Sequence, residues 1–331
     1  MTVQPARPGL TAVTLDELVA EAARFDAVVE VTPGIDRFCS TAPWIVAAHA
    51  ALMGPRAPWL WQGDAGWVTL ARADRPGGRY LEPLELAWGL ACPLIGVDPA
   101  PLVGGLVEVA AADADWDLML VAGVPPGGAL HRALRAAAPA GWRFGRGPTT
   151  ERYVASLDGG VDGFLARRSR NFRKAVRADQ RAAAAAGVAF VPVEVTPASA
   201  AACLARVLAV EARSWKGQAG LGVDQGPMRD FYQHMIGPLA AAGRARLMMA
   251  SQGDRDVAFI LGGVFAGEYR GLQFSHDVEF RALGLGNVAQ LAQIARLVDE
   301  GVERYDLGTA MDYKVRWAEQ VVTTGLFALA R

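Results

Sequence analysis

The stretch that most limits how this chain can fold runs from Tyr269 to Trp317. Tyr269–Asp277 alternates, with Leu272, Phe274 and His276 on one face and Gln273, Ser275 and Asp277 on the other, as a pleated strand demands. Arg281-x-x-Gly284-x-Gly286-Asn287 follows directly. Val288, Leu291, Ala292, Ala295 and Val298 then recur at helical spacing, with Ile294 and Leu297 widening the stripe. Gly301 stands where a helix C-cap glycine belongs. Tyr305-Asp306-Leu307 makes a short second strand ending at Gly308, and a polar corner with Tyr313 and Lys314 comes next. The spacing predicts a βαβ unit whose glycine turn opens a helix. Such a turn lets backbone approach a ligand, and its free N–H groups with the positive end of the helix dipole attract a phosphate. A plain strand-to-helix turn carries the same glycines.

At 331 residues the chain exceeds one comfortable core, so two domains are expected. A net charge of −1 gives no global pull toward DNA or an anionic membrane, and any basic site must be local. Cys39, Cys92 and Cys203 are odd in number and far apart, and the four histidines are scattered, so neither a disulfide framework nor a metal site is expected. The first residues lack a basic region followed by an apolar run, and no apolar run is long enough to span a bilayer. The expectation is a soluble, reduced, cytoplasmic protein with no metal.

Upstream, Thr14 with Glu17 reads as a capping box opening a helix over Leu15–Phe25. Trp44–Met53 and Pro101–Ala111 read as helices, and Trp59–Gln62 with Trp67–Ala71 as a hairpin whose tryptophans belong to a core or interface. Gly-Arg-Gly-Pro-Thr-Thr at 145–150 is the best domain boundary by turn composition. The expected domains are therefore 1–148 and 149–331. FLARRSRNFRKAVRADQRAAAAAG, 164–187, reads as one long helix with Arg167, Arg170, Lys174, Arg177 and Arg181 along a side. Arg170, Arg173, Lys174 and Arg177 form a possible anion patch, with a solvated charged face as the plain alternative. Val257–Leu261 is apolar without alternation, as in a sheet centre covered on both faces.

Arg281-x-x-Gly284-x-Gly286 at this place resembles the pyrophosphate loop of the GNAT acyltransferases. Tyr-Asp-Leu-Gly, then Asp-Tyr-Lys, with the Arg-rich helix upstream, is similar to the CelD/BcsL-type branch, itself related to the Fem-type ligases that join two GNAT-like domains. The match covers roughly Tyr153 to Arg331. The resemblance implies an α/β (α+β) chain of two tandem GNAT-like domains, each a mixed central sheet flanked by helices. The first domain is degenerate and the second carries the donor loop. It implies acetyl-CoA or a longer acyl-CoA as co-substrate, held by Arg281, Gly284, Leu285, Gly286 and Asn287. The pantetheine arm then lies where the strands beside the helix splay, with Ser275–Asp277 and Asp306–Gly308 at the thioester. Glu211-x-x-Ser214-Trp215-Lys216 lies under the acceptor, which puts Trp215, Lys216, Gln273 and Ser275 against the substrate.

Acyl transfer to an amine needs a base, because free alkyl amines titrate near ~10. No Gly-x-Ser-x-Gly elbow or Cys/His pairing is present, so direct transfer is favoured. Candidate bases are Asp277, His276, Asp306 and Glu211, with a core histidine and strand-end carboxylates as the structural alternatives. By resemblance Tyr313 is the candidate acid for the thiolate, and Lys314 binds the donor or steadies the oxyanion. Thr309-Ala310-Met311 departs from the branch pattern, which leaves the acceptor open among amine-bearing small molecules and peptides. An acyl carrier protein or an aminoacyl-tRNA is an alternative donor, and a non-catalytic binding module the alternative outside catalysis. A dinucleotide-binding dehydrogenase is disfavoured, since the glycine turn lies near the C-terminus without a repeated βαβ run.

Overall fold

The computed structural model describes residues 9–331, which divide into two compact units: the chain up to Thr150 with Thr323–Arg331, and Glu151–Val322. The first unit holds β1 (Thr11–Val13), α1 (Leu15–Ala20), α2 (Ala22–Val31), α3 (Ala42–Ala51), β2 (Ala57–Gly63), β3 (Gly66–Arg75), β4 (Gly78–Pro83), β5 (Leu94–Ile95), α4 (Pro99–Ala112), β6 (Leu118–Val124), α5 (Ala129–Ala137) and the start of β7 (Arg143–Ser156). The capping box is present: Glu17 N–H donates to Thr14 Oγ1 at 3.2 Å, and Thr14 N–H to Glu17 Oε2 at 2.7 Å. Trp59 and Trp67 are buried in the hairpin, Trp59 donating to Asp113 at 3.0 Å.

Two expectations change here. The 145–150 segment is not a turn but lies inside β7, where Gly147 is small because a Cβ there would meet the Leu326 side chain at 2.9 Å. The last nine residues belong to the first unit rather than to a domain running to 331. In β13 (Gln320–Ala330), Gly325–Ala330 pairs antiparallel with Leu118–Val124 of β6.

The second unit contains α6 (Gly160–Ala166), α7 (Arg170–Ala185), β8 (Val188–Val193), α8 (Ala200–Ala212), α9 (Trp215–Gln218), α10 (Gly226–Ala241), β9 (Ala245–Gln252), β10 (Arg255–Phe265), β11 (Glu268–His276), α11 (Leu285–Asp299) and β12 (Arg304–Thr309). Its sheet runs β7-β12-β11-β10-β9-β8, mixed in direction, because β11 and β12 are parallel across the α11 crossover. β10 is buried on both faces from Val257 to Leu261, as its unbroken apolar run requires. The expected single helix over 164–187 is broken. Ser169 caps a fresh helix by accepting from Phe172 N–H at 3.2 Å, which separates α6 from α7. Phe172 and Val176 of α7 pack with Leu291, Ile294 and Leu297 of α11 against Tyr269 and Tyr305. α11 ends as expected at Gly301 (φ 74), whose N–H bonds Val298 while that of Val302 reaches back to Leu297.

Candidate functional site

β11 and β12 pair over only three positions, Glu268–Arg270 against Arg304–Asp306. Beyond them both strands are bulged on their outer edges. Leu272 is an extra residue in β11 against β10, and Leu307 and Gly308 together oppose Tyr153 of β7. A gap opens between the strands at Gly271 and Gly308. The free side of Gly308 (φ 79) faces Lys314: a Cβ there would lie 3.7 Å from Lys314 Nζ and 3.8 Å from the Gly271 carbonyl oxygen.

Lys314, in a short 3-10 turn over Asp312–Trp317, is only 8% exposed, and its Nζ donates to the Thr309 carbonyl at 2.8 Å. Burial pulls its ammonium down to about 8; Asp306 opposes that fall and Arg270 adds to it. Tyr313 stacks edge-on against Phe274 at 5.7 Å, and burial pushes its phenol up to about 12. A phenol that weak as an acid stays protonated at neutral pH and is poorly matched to a thiolate of pKa ~8.5, whereas Lys314 is well matched.

Asp306 is fully buried and fully engaged. Its Oδ2 accepts from both Arg152 and Arg270 (2.9 Å from the latter), and Oδ1 accepts the Gly308 N–H at 2.7 Å. Both of its oxygens are engaged in holding Arg152, Arg270 and the Gly308 N–H where the strands part, the arrangement of a scaffold carboxylate, whereas the sequence offered it as a candidate base. Asp277 is engaged in the same way. It caps the 3-10 turn Val278–Leu283 through Glu279 N–H and takes Arg213 and Arg255, both at 2.7 Å, on Oδ2. Burial pushes its carboxyl up, but the bonds from Arg213, Glu279 N–H and Arg255 outweigh that and hold it below the usual carboxylate range.

Glu211, near the end of α8 and fully buried, is the candidate carboxylate with an oxygen left unbonded among the described residues. Oε1 meets Lys216 Nζ at 3.1 Å and Val223 N–H at 3.3 Å, while the buried Oε2 has no hydrogen-bond partner among the described residues. Lys216 also donates to Gln273 Oε1 at 2.9 Å and to the Phe274 carbonyl at 3.2 Å, so it ties α9 to β11. Ser275 Oγ is buried without a hydrogen-bond partner among the described residues, and Trp215 is 60% exposed. His276 is half-buried; burial depresses its imidazole, Asp277 partly restores it and Lys216 depresses it further, which keeps it neutral. Lys216 thus joins Glu211 to Gln273 and the Phe274 carbonyl, and the Phe274 ring in turn meets Tyr313.

The other candidates divide. Arg281 is exposed and makes no ion pair among the described residues. Gly284 (φ 61) is the N-cap of α11, Leu285 is buried behind it, and Gly286 is tight against Phe274, whose ring would lie 2.9 Å from a Cβ. Asn287 Nδ2 donates to Asp179 of α7 at 2.7 Å. A nucleotide pyrophosphate would have to share this helix end with that carboxylate, so the residues present do not fit CoA in the expected manner. Asp179 was missed as a site residue, although Phe172, Val176, Asp179 and Ala183 follow helical spacing and the acid stands out in that stripe. Of the anion patch, Arg173 is used internally, donating to the carbonyls of Leu165, Ala166 and Arg168, while Arg170, Lys174 and Arg177 are exposed. No group of metal-ligating side chains and no helix able to cross a membrane occurs among the described residues.

Residues 170–315 match a family model described as an acetyltransferase (GNAT) domain. No curated protein matches the chain in sequence. Among solved structures, a conserved protein of unknown function from Bacteroides thetaiotaomicron aligns over 98% of this chain and 100% of its own at 13% identity and a TM-score of 0.66. FemX aligns over 96% of both chains at 12% identity and the same TM-score. The C-terminal domain of a putative lysylphosphatidylglycerol synthetase from Agrobacterium fabrum covers 96% of this chain and 93% of its own at 13% identity, TM-score 0.57. At such identities the likeness is one of fold, and it is the expected one: two tandem GNAT-like domains, each a mixed sheet flanked by helices. Residues 170–315 are thus similar to a GNAT acetyltransferase domain, and the fold of the chain is similar to that of FemX.

Proposed function

We propose that the second unit transfers an acyl group from an activated carrier directly to an amine, with the reacting carbonyl in the gap between β11 and β12. The observation that carries this reading is the placement of a buried lysine, titrating at about 8, at the point where the two strands part. In this reading Glu211 Oε2 takes a proton from the incoming amine, and the amine nitrogen attacks the acyl carbon. Lys314 donates to the oxygen as negative charge develops and then gives its proton to the departing group. Lys216 and Gln273 orient the acceptor, and Trp215 offers it an aromatic surface. Asp306, Arg152 and Arg270 hold the gap open, and Asp306 and Arg270 help set the Lys314 equilibrium. The Tyr305–Gly308 and Asp312–Lys314 segments keep the CelD/BcsL-like branch as the finer family reading, in the cytoplasm.

The test is single-turnover acylation of a panel of amines by short acyl N-acetylcysteamine thioesters, comparing wild type with Glu211→Gln and Lys314→Met. A loss of at least a hundredfold in each folded variant supports the assignment; unchanged rates in both would end it. A Fem-like ligase taking an aminoacyl group from tRNA is the second reading. Asp179 at the nucleotide loop and the exposed Arg170, Lys174 and Arg177 favour it, and aminoacyl-tRNA in the same assay separates the two.

A further inference from the structure

The turn that opens α11 has the glycines and the arginine of an anion loop, yet α7 has put an anion there already. Asp179 Oδ2 accepts from Asn287 Nδ2 in the first turn of α11 at 2.7 Å. A Cβ on Gly284 would lie 2.3 Å from Asp179 Cγ and within 2.6 Å of both carboxylate oxygens, so the carboxylate rests directly on the N-cap glycine. Among the described residues no side-chain cap hydrogen bond is made at the N-cap of α11, and Asn287 N–H turns back to the Gly284 carbonyl at 2.9 Å. A helix N-terminus favours one negative group in front of it, and a second one beside the first meets like-charge repulsion. α7 is not free to swing aside, because Phe172, Val176 and Ala183 on the same face are buried in the core. Arg281, the cation that would escort a diphosphate, stands exposed and unpaired among the described residues.

We infer that Asp179 is the resident anion of the α11 N-terminus, so that the Arg281–Asn287 turn holds α7 and excludes a nucleotide diphosphate. The donor is then gripped by its acyl-bearing arm or by its carrier, and CoA gains nothing from its nucleotide half. This rests on the acyl-transfer reading only in naming the donor; the Asp179 contact stands without it.

Calorimetric titration of the full chain with CoA, pantetheine and adenosine diphosphate 3′-phosphate tests the inference on wild type, Asp179→Asn and Arg281→Ala. The asparagine keeps an oxygen for Asn287 and removes the charge. Wild type is expected to hold CoA less than tenfold tighter than pantetheine, Arg281→Ala to match wild type, and Asp179→Asn to gain at least tenfold for CoA and the diphosphate. A wild-type preference for CoA above tenfold, a loss of CoA affinity in Arg281→Ala, or no gain in a folded Asp179→Asn overturns it. If Asp179→Asn does not fold, the wild-type and Arg281→Ala titrations decide. Turnover of N-acetylcysteamine thioesters, which carry no nucleotide, reports separately on the acyl-transfer reading.

Discussion

Replacing Lys314 with methionine keeps most of the side chain's bulk and removes its charge, and the structure gives the consequence a size and a pH dependence. A fall from the ordinary lysine value of ~10.4 to about 8 means that folding disfavours the protonated form. At about 1.4 kcal/mol per tenfold in the proton equilibrium, the penalty at pH 7 is about 3 kcal/mol. The variant loses the hydrogen bond to the Thr309 carbonyl, worth about 1 kcal/mol. Lys314→Met should therefore be more stable than wild type at pH 7 by about 2 kcal/mol. Between about 8 and ~10.4 the unfolded chain holds a proton that the folded chain does not, so wild-type stability rises with pH in that window. The variant lacks that rise, and its advantage shrinks by about 2–3 kcal/mol between pH 7 and pH 10. Urea unfolding of both proteins at the two pH values reads this difference, since titrations common to both cancel. A difference that changes by less than about 1 kcal/mol would refute a buried, depressed Lys314. Turnover should be lost in the stabilised variant, the pattern of a residue kept for function against stability.

The basic limb of the kcat profile should fall as pH rises through about 8, as the Lys314 proton is lost, and that limb should be absent from any residual rate of Lys314→Met. Asp306→Asn removes the carboxylate shared by two buried guanidiniums and should destabilise the fold by about 3 kcal/mol or more in chemical denaturation. Gly284→Ala meets both a left-handed backbone and the Asp179 carboxylate, and should cost about 2 kcal/mol or more; combined with Asp179→Ala the loss should be less than the sum of the single variants by about 1 kcal/mol. Unfolding midpoints of the four proteins in that cycle check the coupling.

What could be read from the sequence was what depends on near neighbours. The βαβ unit, its glycine turn and the Gly301 stop are written in local spacing and turn chemistry, and the Thr14–Glu17 box is complete within four residues. The break at Ser169 is marked in the sequence by a single capping serine, within a stretch whose Ala- and Arg-rich composition favours one continuous helix. The 145–150 segment has turn composition and lies in a strand, because Gly147 answers a close contact with Leu326 and not a chain reversal. The roles of the carboxylates were the least legible, since they depend on partners far along the chain. Arg152 stands 154 residues from Asp306, Arg213 stands 64 from Asp277, and Asp179 stands 108 from Asn287. Glu211 stands apart by its unbonded oxygen only once these pairings have occupied the others.

The two bulges also say something about how the gap comes to exist. A strand with one residue more along one edge than its neighbour has a longer outer arc, and it curves away from its inner partner. β11 carries its surplus toward β10 and β12 carries its surplus toward β7, so the two bow in opposite directions from a hinge at the Arg270–Asp306 pair. The opening is thus a matter of differing contour lengths fixed by the chain itself. Deleting Leu272 should straighten β11 and draw the seam closed, with no change to any side chain that lines it.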